Sequence, residues 1–325
     1  MKAVKLSDFW MHKTVEKRPT RDGYGQALLE LGESNPDVVV LTGDLAESTR
    51  ALPFGEKYPE RFIECGVAEQ NMMGVAAGLA LGGKIPFISS YAVFSPGRSW
   101  DQLRVSVCYA KANVKIAGAH TGISVGPDGA THQALEDMAI TRVIPDLIVM
   151  APCDAEETRK CTLAAANYQG PVYFRFAREK TPVMTVKQTP FEIGQAYVCR
   201  EGYDVTLMAA GPLLHAALMS AEKLAAKGIE AEVINSHTIK PLDTKTILQS
   251  VKKTRCAVTV EEHQITGGLF GAVAEALAKT YPVPLEAVGM HDTFGESGTP
   301  DELLAKYKMT DTDVFKAALK AIKRK

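Results

Sequence analysis

The side chains best suited to chemistry lie between residues 64 and 178. Glu69 sits in the run Glu64-Cys-Gly-Val-Ala-Glu-Gln-Asn-Met-Met-Gly, ahead of the small residues Gly74, Ala76, Ala77, Gly78 and Ala80, which let another backbone approach closely. A carboxylate in that setting loses water and its pKa rises, which suits it to share a proton; its place in a first helical turn pulls the other way. On spacing alone, Glu69 reads equally well as an ordinary first-turn glutamate stabilised by the helix dipole. Tyr91 and Phe94 follow an apolar strand and lie where loops leave the carboxyl ends of strands, the usual ligand face of such sheets. An isolated aromatic pair is more often core. The loop His120-Thr-Gly-Ile-Ser-Val-Gly-Pro-Asp-Gly-Ala-Thr-His carries glycines at 122, 126 and 129 and a proline, so its backbone can fold tightly around a ligand. Asp128 and His132, four residues apart, suit hydroxyl recognition and proton transfer. One histidine is usually structural; two with an aspartate in one glycine-rich loop point to a site. Arg178, in Phe176-Ala-Arg-Glu-Lys, supplies the fixed cation that an anionic substrate group needs, although a single arginine is ordinarily surface solvation.

These residues require a scaffold of alternating strands and helices. A short leader precedes a helix over residues 20–32, where Asp22 is the expected cap and Tyr24, Ala27, Leu28 and Leu31 recur at helical spacing. Nearly all-apolar strands are expected at 38–41, 62–64, 86–90, 114–119, 147–151 and 172–176, with helical stretches between them. Such runs describe a parallel sheet covered on both faces. Residues 181–190, bounded by Pro182 and Pro190, read as a connector. The alternation then restarts: strand 205–210, helix 212–227 closed by Gly228, strands 230–235 and 256–261, helix 268–279 and strand 285–288. Thr299-Pro300-Asp301-Glu302 is a helix start with Thr as cap and Pro at the first position. The fold class is therefore α/β, with two doubly wound domains at residues 1–188 and 189–325.

Composition excludes several functions. A net charge of −1 over 325 residues, without a basic block, argues against a nucleic-acid footprint. The basic tail from 316 to 325 has the period of an amphipathic helix ending in solvated cations. The six cysteines (65, 108, 153, 161, 199 and 256) form no CxxC pair, so reduced thiols in the cytosol are expected. Lys2, Lys5, Asp8, His12 and Lys13 stand where a signal peptide needs an apolar core. The longest small-apolar run, 75–81, is too short to span a bilayer. A cytoplasmic protein without membrane or nucleic-acid partners is expected.

The Gly-Val-Ala-Glu-Gln-Asn motif, the Tyr91–Phe94 aromatics and the His120–His132 loop together resemble the transketolase-like family of thiamine-diphosphate (ThDP) enzymes, in the half that grips the cofactor's aminopyrimidine ring. The resemblance covers nearly the whole chain. It implies a pyrimidine-binding domain followed by a transketolase C-terminal domain, and a cofactor that does the hard chemistry itself. It also implies roles. Glu69 shares a proton with the ring nitrogen, so that the opposite amino group becomes a base. Tyr91 and Phe94 seat the ring, Phe94 by stacking. His120, Asp128 and His132 handle the hydroxyls of a sugar phosphate, with His120 and His132 acting catalytically beside Glu69, and His120 reaching donor substituents or the acceptor phosphate. Arg178 takes a phosphate, with Arg21 and Ser48 at further matching positions, whereas Arg98 resembles a position of the related deoxyxylulose-phosphate synthases. Those synthases tend to carry arginine near position 120, so His120 favours transketolase. Glu261-Glu262-His263 followed by Gly267-Gly268 resembles a signature of the C-terminal domain; a tight strand-to-helix turn is its simplest account.

The family's diphosphate-binding Gly-Asp-Gly, whose aspartate and a later asparagine hold Mg²⁺, does not occur; Gly43-Asp44 is followed by Leu45, and Asp128-Gly129 is preceded by Pro127. The expectation is a split enzyme: this chain contributes no metal ligand, an N-terminal transketolase subunit supplies the diphosphate and Mg²⁺ motif, ThDP is shared across the interface, and the assembly is α2β2. The leading activity is transfer of a two-carbon ketol unit between sugar phosphates. A deoxyxylulose-phosphate-synthase-like or unusual-sugar ketol transferase, the β subunit of a 2-oxo-acid dehydrogenase E1, and a non-catalytic regulatory half stay open as alternatives.

Overall fold

The computed structural model describes residues 3–12 and 14–325; Lys2 and Lys13 of the charged leader lie outside the described residues. Strands β1 (Lys17–Pro19), β2 (Val38–Thr42), β3 (Phe62–Glu64), β4 (Ile85–Tyr91), β5 (Lys115–Ala119), β6 (Ile148–Met150), β7 (Val172–Phe176) and β8 (Lys180–Pro182) occupy the first part of the chain. β9 (Tyr197–Arg200), β10 (Val205–Ala209), β11 (Ala231–Asn235), β12 (Thr238–Lys240), β13 (Ala257–Gln264) and β14 (Leu285–Met290) occupy the second. The apolar runs do what their composition requires: β2, β5, β6 and β7 are buried at every residue. A parallel strand carrying helices on both faces has no solvent side.

The first sheet has the order β12-β6-β7-β5-β4-β2-β3 and the second β14-β13-β10-β11-β9. Both are parallel apart from one antiparallel edge strand each, β12 and β9. Tyr24, Leu28, Phe87, Phe174 and Phe176 fill one face of the first sheet. Met72, Met73, Ala76 and Val107 fill the other, in a core continuous with Met208 and Ile234 of the second sheet and with Leu269 of the Leu269–Thr280 helix. The Thr20–Ser34 and Ala155–Asn167 helices cross closely at Gly23, where a Cβ would stand 1.9 Å from the Ala155 carbonyl oxygen.

Several expectations change. Asp22 does not cap its helix: the cap position is Pro19, and Asp22 accepts from Arg50 Nε at 2.8 Å. The helix placed at 212–227 opens with a 3₁₀ turn, Gly211–Leu213, before Leu214–Ala225. The connector is not featureless, because β8 within it pairs with β1. Its Met184 and Thr185 amides also donate to the buried Asp154 carboxylate at 2.7 and 2.6 Å. β12 leaves the second half and adds to β6 of the first sheet, so the two sheets share backbone as well as side chains. The Thr299 capping box forms, with Pro300 at the first position and Glu302 at the third.

Candidate active site

The candidate residues converge along the carboxyl ends of β7, β5, β4, β2 and β3. At β3, Glu64 Oε1 accepts from Asp44 N and Gly66 N, both at 2.8 Å, tying the turn after β2 to the approach of Glu69. Glu69 begins the Glu69–Leu81 helix and is 1% exposed. Its Oε2 accepts from Arg98 Nη1 at 2.6 Å, while its Oε1 is buried without a hydrogen-bond partner among the described residues. The Arg98 guanidinium lies 4.7 Å from the Phe94 ring centre. One planar group bearing N–H donors thus reaches both the Phe94 ring and the Glu69 carboxylate.

Tyr91 ends β4 and stacks on His120 at 3.8 Å between ring centres. Phe94 is half-buried and meets His132 edge-on at 5.5 Å. His120 follows β5 in a left-handed conformation (φ 56°) and is 1% exposed. Burial first, then the positive field of Arg21 and Arg178, depresses its pKa to about 3. The imidazole is thus neutral, and its Nδ1 is buried without a partner among the described residues. His132 Nδ1 contacts the Thr131 hydroxyl at 2.8 Å.

The cations gather beside these rings. Arg178 Nη1 donates to both carboxylate oxygens of Asp128 at 3.1 Å. Arg21 Nη1 donates to the Ser48 carbonyl at 2.8 Å, so Ser48 joins through its backbone. Arg50, which carried no signal in the sequence, holds Asp22 and adds to the field on His120. Arg98 is engaged with Glu69 and Phe94 instead. Among the described residues, no group of three His, Cys, Asp or Glu side chains is placed to hold a metal ion.

The loop of His120 and His132 rests on residues that sequence spacing did not single out. Gln133 Nε2 donates to the carbonyls of Ile123, Gly126 and Glu296 at 3.2, 3.3 and 2.9 Å. Beneath it, Arg175 Nε lies 2.9 Å from Asp137 Oδ2, which also accepts from Tyr173 OH at 2.5 Å. His263 Nε2, contributed by β13, accepts from Met138 N at 3.2 Å.

Buried histidines give the chain a signed acid response. Burial lowers His120 and His237 to about 3 and His263 to about 4. Their stabilisation is complete above the unfolded value of about 6.5 and is lost as pH falls through the folded values. Burial raises Glu157 to about 7 and Glu261 to about 8; their contribution runs the other way, complete below about 4.5 and lost as pH rises. Burial also lowers His215 and raises Glu136 and Glu262. Histidines and carboxyls therefore nearly offset one another between about pH 6.5 and 4.5, and the unfolding midpoint is expected to fall on acidification below about 4.5, where the histidines are no longer opposed. A series of urea melts checks this; a midpoint that climbs as pH drops over that window overturns the assignment.

The fold agrees with what comparison with known proteins returns. Residues 16–184 match the model of the transketolase pyrimidine-binding domain, and residues 194–314 that of the transketolase C-terminal domain. The 6-deoxy-6-sulfo-D-fructose transketolase subunit SqwH of Clostridium sp. (strain MSTE9) is 41% identical over 99% of this chain and 97% of its own length. One of the subunits of the apulose-4-phosphate transketolase of Phocaeicola vulgatus is 36% identical over 94% of this chain and 97% of its own. A solved structure described as "Split gene transketolase, inactive beta4 tetramer" superposes with a TM-score of 0.89 at 47% identity, covering 94% of this chain and 99% of that one. The chain belongs to the transketolase family of ThDP-dependent transferases, in its C-terminal section.

Proposed function

We propose that this chain is the C-terminal subunit of a split transketolase, moving a two-carbon ketol unit between sugar phosphates and active only with an N-terminal partner subunit. The observation that carries the reading is the buried Glu69 carboxylate, whose Oε1 has no partner among the described residues and whose Oε2 shares the Arg98 guanidinium with the Phe94 ring. The Arg98 guanidinium, lying on Phe94 and donating to Glu69, is itself a planar group bearing N–H donors and supports the reading. The residues suit the aminopyrimidine end of ThDP: Phe94 and Tyr91 seat the ring, and Glu69 holds a shared proton at its nitrogen edge. Bound ThDP supplies the nucleophilic carbon that accepts and releases the ketol unit. Neutral His120, with Asp128 and His132, binds the sugar hydroxyls and moves protons there. Arg178 and Arg21, beside Ser48, take the phosphate.

Mg²⁺ and the diphosphate belong to the partner, since this chain has no Gly-Asp-Gly. The Glu69 helix supports a contact between subunits at the site. Its outward face carries Gln70, Asn71, Gly74, Gly78 and Leu81, and a Cβ built at either glycine meets nothing within 4 Å. The partner's backbone can approach there and close the cofactor site in an α2β2 assembly. The six cysteines are free thiols, five of them buried, and no helix among the described residues is long and apolar enough to cross a membrane. We place the assembly in the cytoplasm.

Ketol transfer from xylulose 5-phosphate to ribose 5-phosphate, with ThDP and Mg²⁺, tests the reading on the chain alone and with its partner. Activity is expected only in the mixture; activity in the chain alone overturns the split. The names of the two relatives favour a second reading, transfer to or from an unusual sugar. ThDP binding by the mixture without turnover of those two pentoses selects it. Within either reading, Arg178→Ala removes a charge-assisted phosphate contact, worth about 1.5–3 kcal/mol. The KM for a sugar phosphate is expected to rise about 10- to 100-fold, with KM for the dephosphorylated sugar unchanged. Equal effects on both substrates remove Arg178 from the phosphate site.

A further inference from the structure

We propose that Glu262 is a positioning residue for the 120–132 loop, holding His120, Asp128 and His132 in place from the second sheet. The inference rests on the reading of that loop as the substrate site and assigns a task to a motif that a turn alone does not explain.

Glu262 is 5% exposed on β13. Its Oε2 accepts from Ser124 N at 3.0 Å. Ser124 is the second residue of the Ile123–Asp128 turn, and the first amides of such a turn have no partner within it. The carboxylate therefore does for this turn what a cap does for a helix, across 138 positions of sequence. The backbone lies directly on it: a Cβ at Gly122 (φ +85°) would stand 2.4 Å from Oε2 and 2.8 Å from the Glu262 Cβ.

The Glu262 backbone is itself held. Arg175 Nη1 donates to the Glu262 carbonyl at 3.2 Å and Nη2 to that of Ala134 at 3.1 Å, so one guanidinium joins β13 to the loop's far end. The rest of the back wall also comes from late in the chain. A Cβ at Gly126 would stand 3.2 Å from the Gly298 carbonyl, and one at Gly129 2.6 Å from Ser297 Oγ. The loop needs such support because His120, Gly122, Gly126 and Gly129 all take positive φ, and its own hydrogen bonds are few. A displacement of about 1 Å in a catalytic group costs about 100-fold in rate, so a clamp on the turn reaches the chemistry without touching the substrate.

The test uses the full chain, alone for amide exchange and assembled with its partner for kinetics. Glu262→Ala is expected to speed exchange in the Ile123–Asp128 turn about tenfold or more, the loss of one charge-assisted hydrogen bond, and to leave the Glu69–Leu81 helix unchanged. KM for the sugar substrates should rise about tenfold or more, with ThDP affinity unaltered. Glu262→Gln keeps an oxygen for Ser124 N–H and should recover most of both. Wild-type exchange in the turn of Glu262→Ala overturns the proposal, as does a Gln variant no better than Ala. Should Glu262→Ala not fold, Glu262→Asp, one methylene too short to keep the carboxylate on Ser124 N, is read in the same way. A wild-type assembly without ketol transfer removes the substrate reading, while the exchange comparison still decides whether Glu262 holds the loop.

Discussion

Glu69→Gln is expected to lower ketol transfer by about three orders of magnitude, within the range of a lost proton-transfer group, with folding and subunit assembly unaffected. The substitution keeps the size of the side chain and one oxygen to accept from Arg98. What it removes is the capacity to hold a proton at a ligand's ring nitrogen, because an amide does not exchange roles between donor and acceptor at one atom. The stability cost is small for a reason on the same residues. Arg98 is 48% exposed where it meets the 1% exposed Glu69, so water takes over its solvation and the pair is worth at most about 1 kcal/mol. Activity at saturating ThDP, together with the ThDP dissociation constant and the unfolding midpoint, separates the possibilities. Retention of more than about a tenth of wild-type turnover removes Glu69 from proton transfer, since such roles contribute at least about 100-fold. Loss of assembly along with activity makes Glu69 an architectural residue. A regulatory half without chemistry shows no effect in any of the three.

The order of elements was legible because burial on both faces of a parallel strand leaves continuous apolar runs; Val38–Thr42 and Val172–Phe176 announce themselves. The loop from His120 to His132 was legible for a different reason: glycine at positive φ beside histidine and aspartate has few structural uses. What stayed hidden depends on partners far along the chain. β12 is three residues, Thr-Ile-Lys, without a period, and becomes a strand only where β6 offers its edge. Arg98 follows Phe94 by four residues, and nothing in that spacing says that its guanidinium turns onto Glu69. Asp22 looked like a cap, yet the helix begins earlier, where the Thr20 hydroxyl bonds the Ala177 backbone at 2.6 Å, and Asp22 is left for Arg50. Gln133 carries no titratable group, and Glu262, although it stands in the Glu261-Glu262-His263 run, shows no spacing that ties it to residue 124. Their roles arise from carbonyls and amides, which every residue carries and no sequence pattern marks.

Asp137→Ala is expected to destabilise the chain by about 3–5 kcal/mol, the cost of stranding a buried cation. Asp137 is 1% exposed and Arg175 is 6% exposed. The carboxylate oxygen that lies 2.9 Å from Arg175 Nε also accepts from Tyr173 OH. Removing it leaves the guanidinium with only the neutral carbonyls of Ala134 and Glu262, and leaves a buried phenol without its acceptor. The pair itself need not be worth that much. Desolvation offsets most of its attraction, so Asp137→Ala combined with Arg175→Met should recover the greater part of the loss. The double variant then separates stability from site geometry. It restores the urea midpoint but not the anchor on the Glu262 backbone, so the Ile123–Asp128 turn should exchange faster than in the wild type. A single variant that loses less than about 1 kcal/mol means that water reaches Arg175. A double variant as unstable as the single one places the cost in lost packing at Tyr173, not in the unpaired charge.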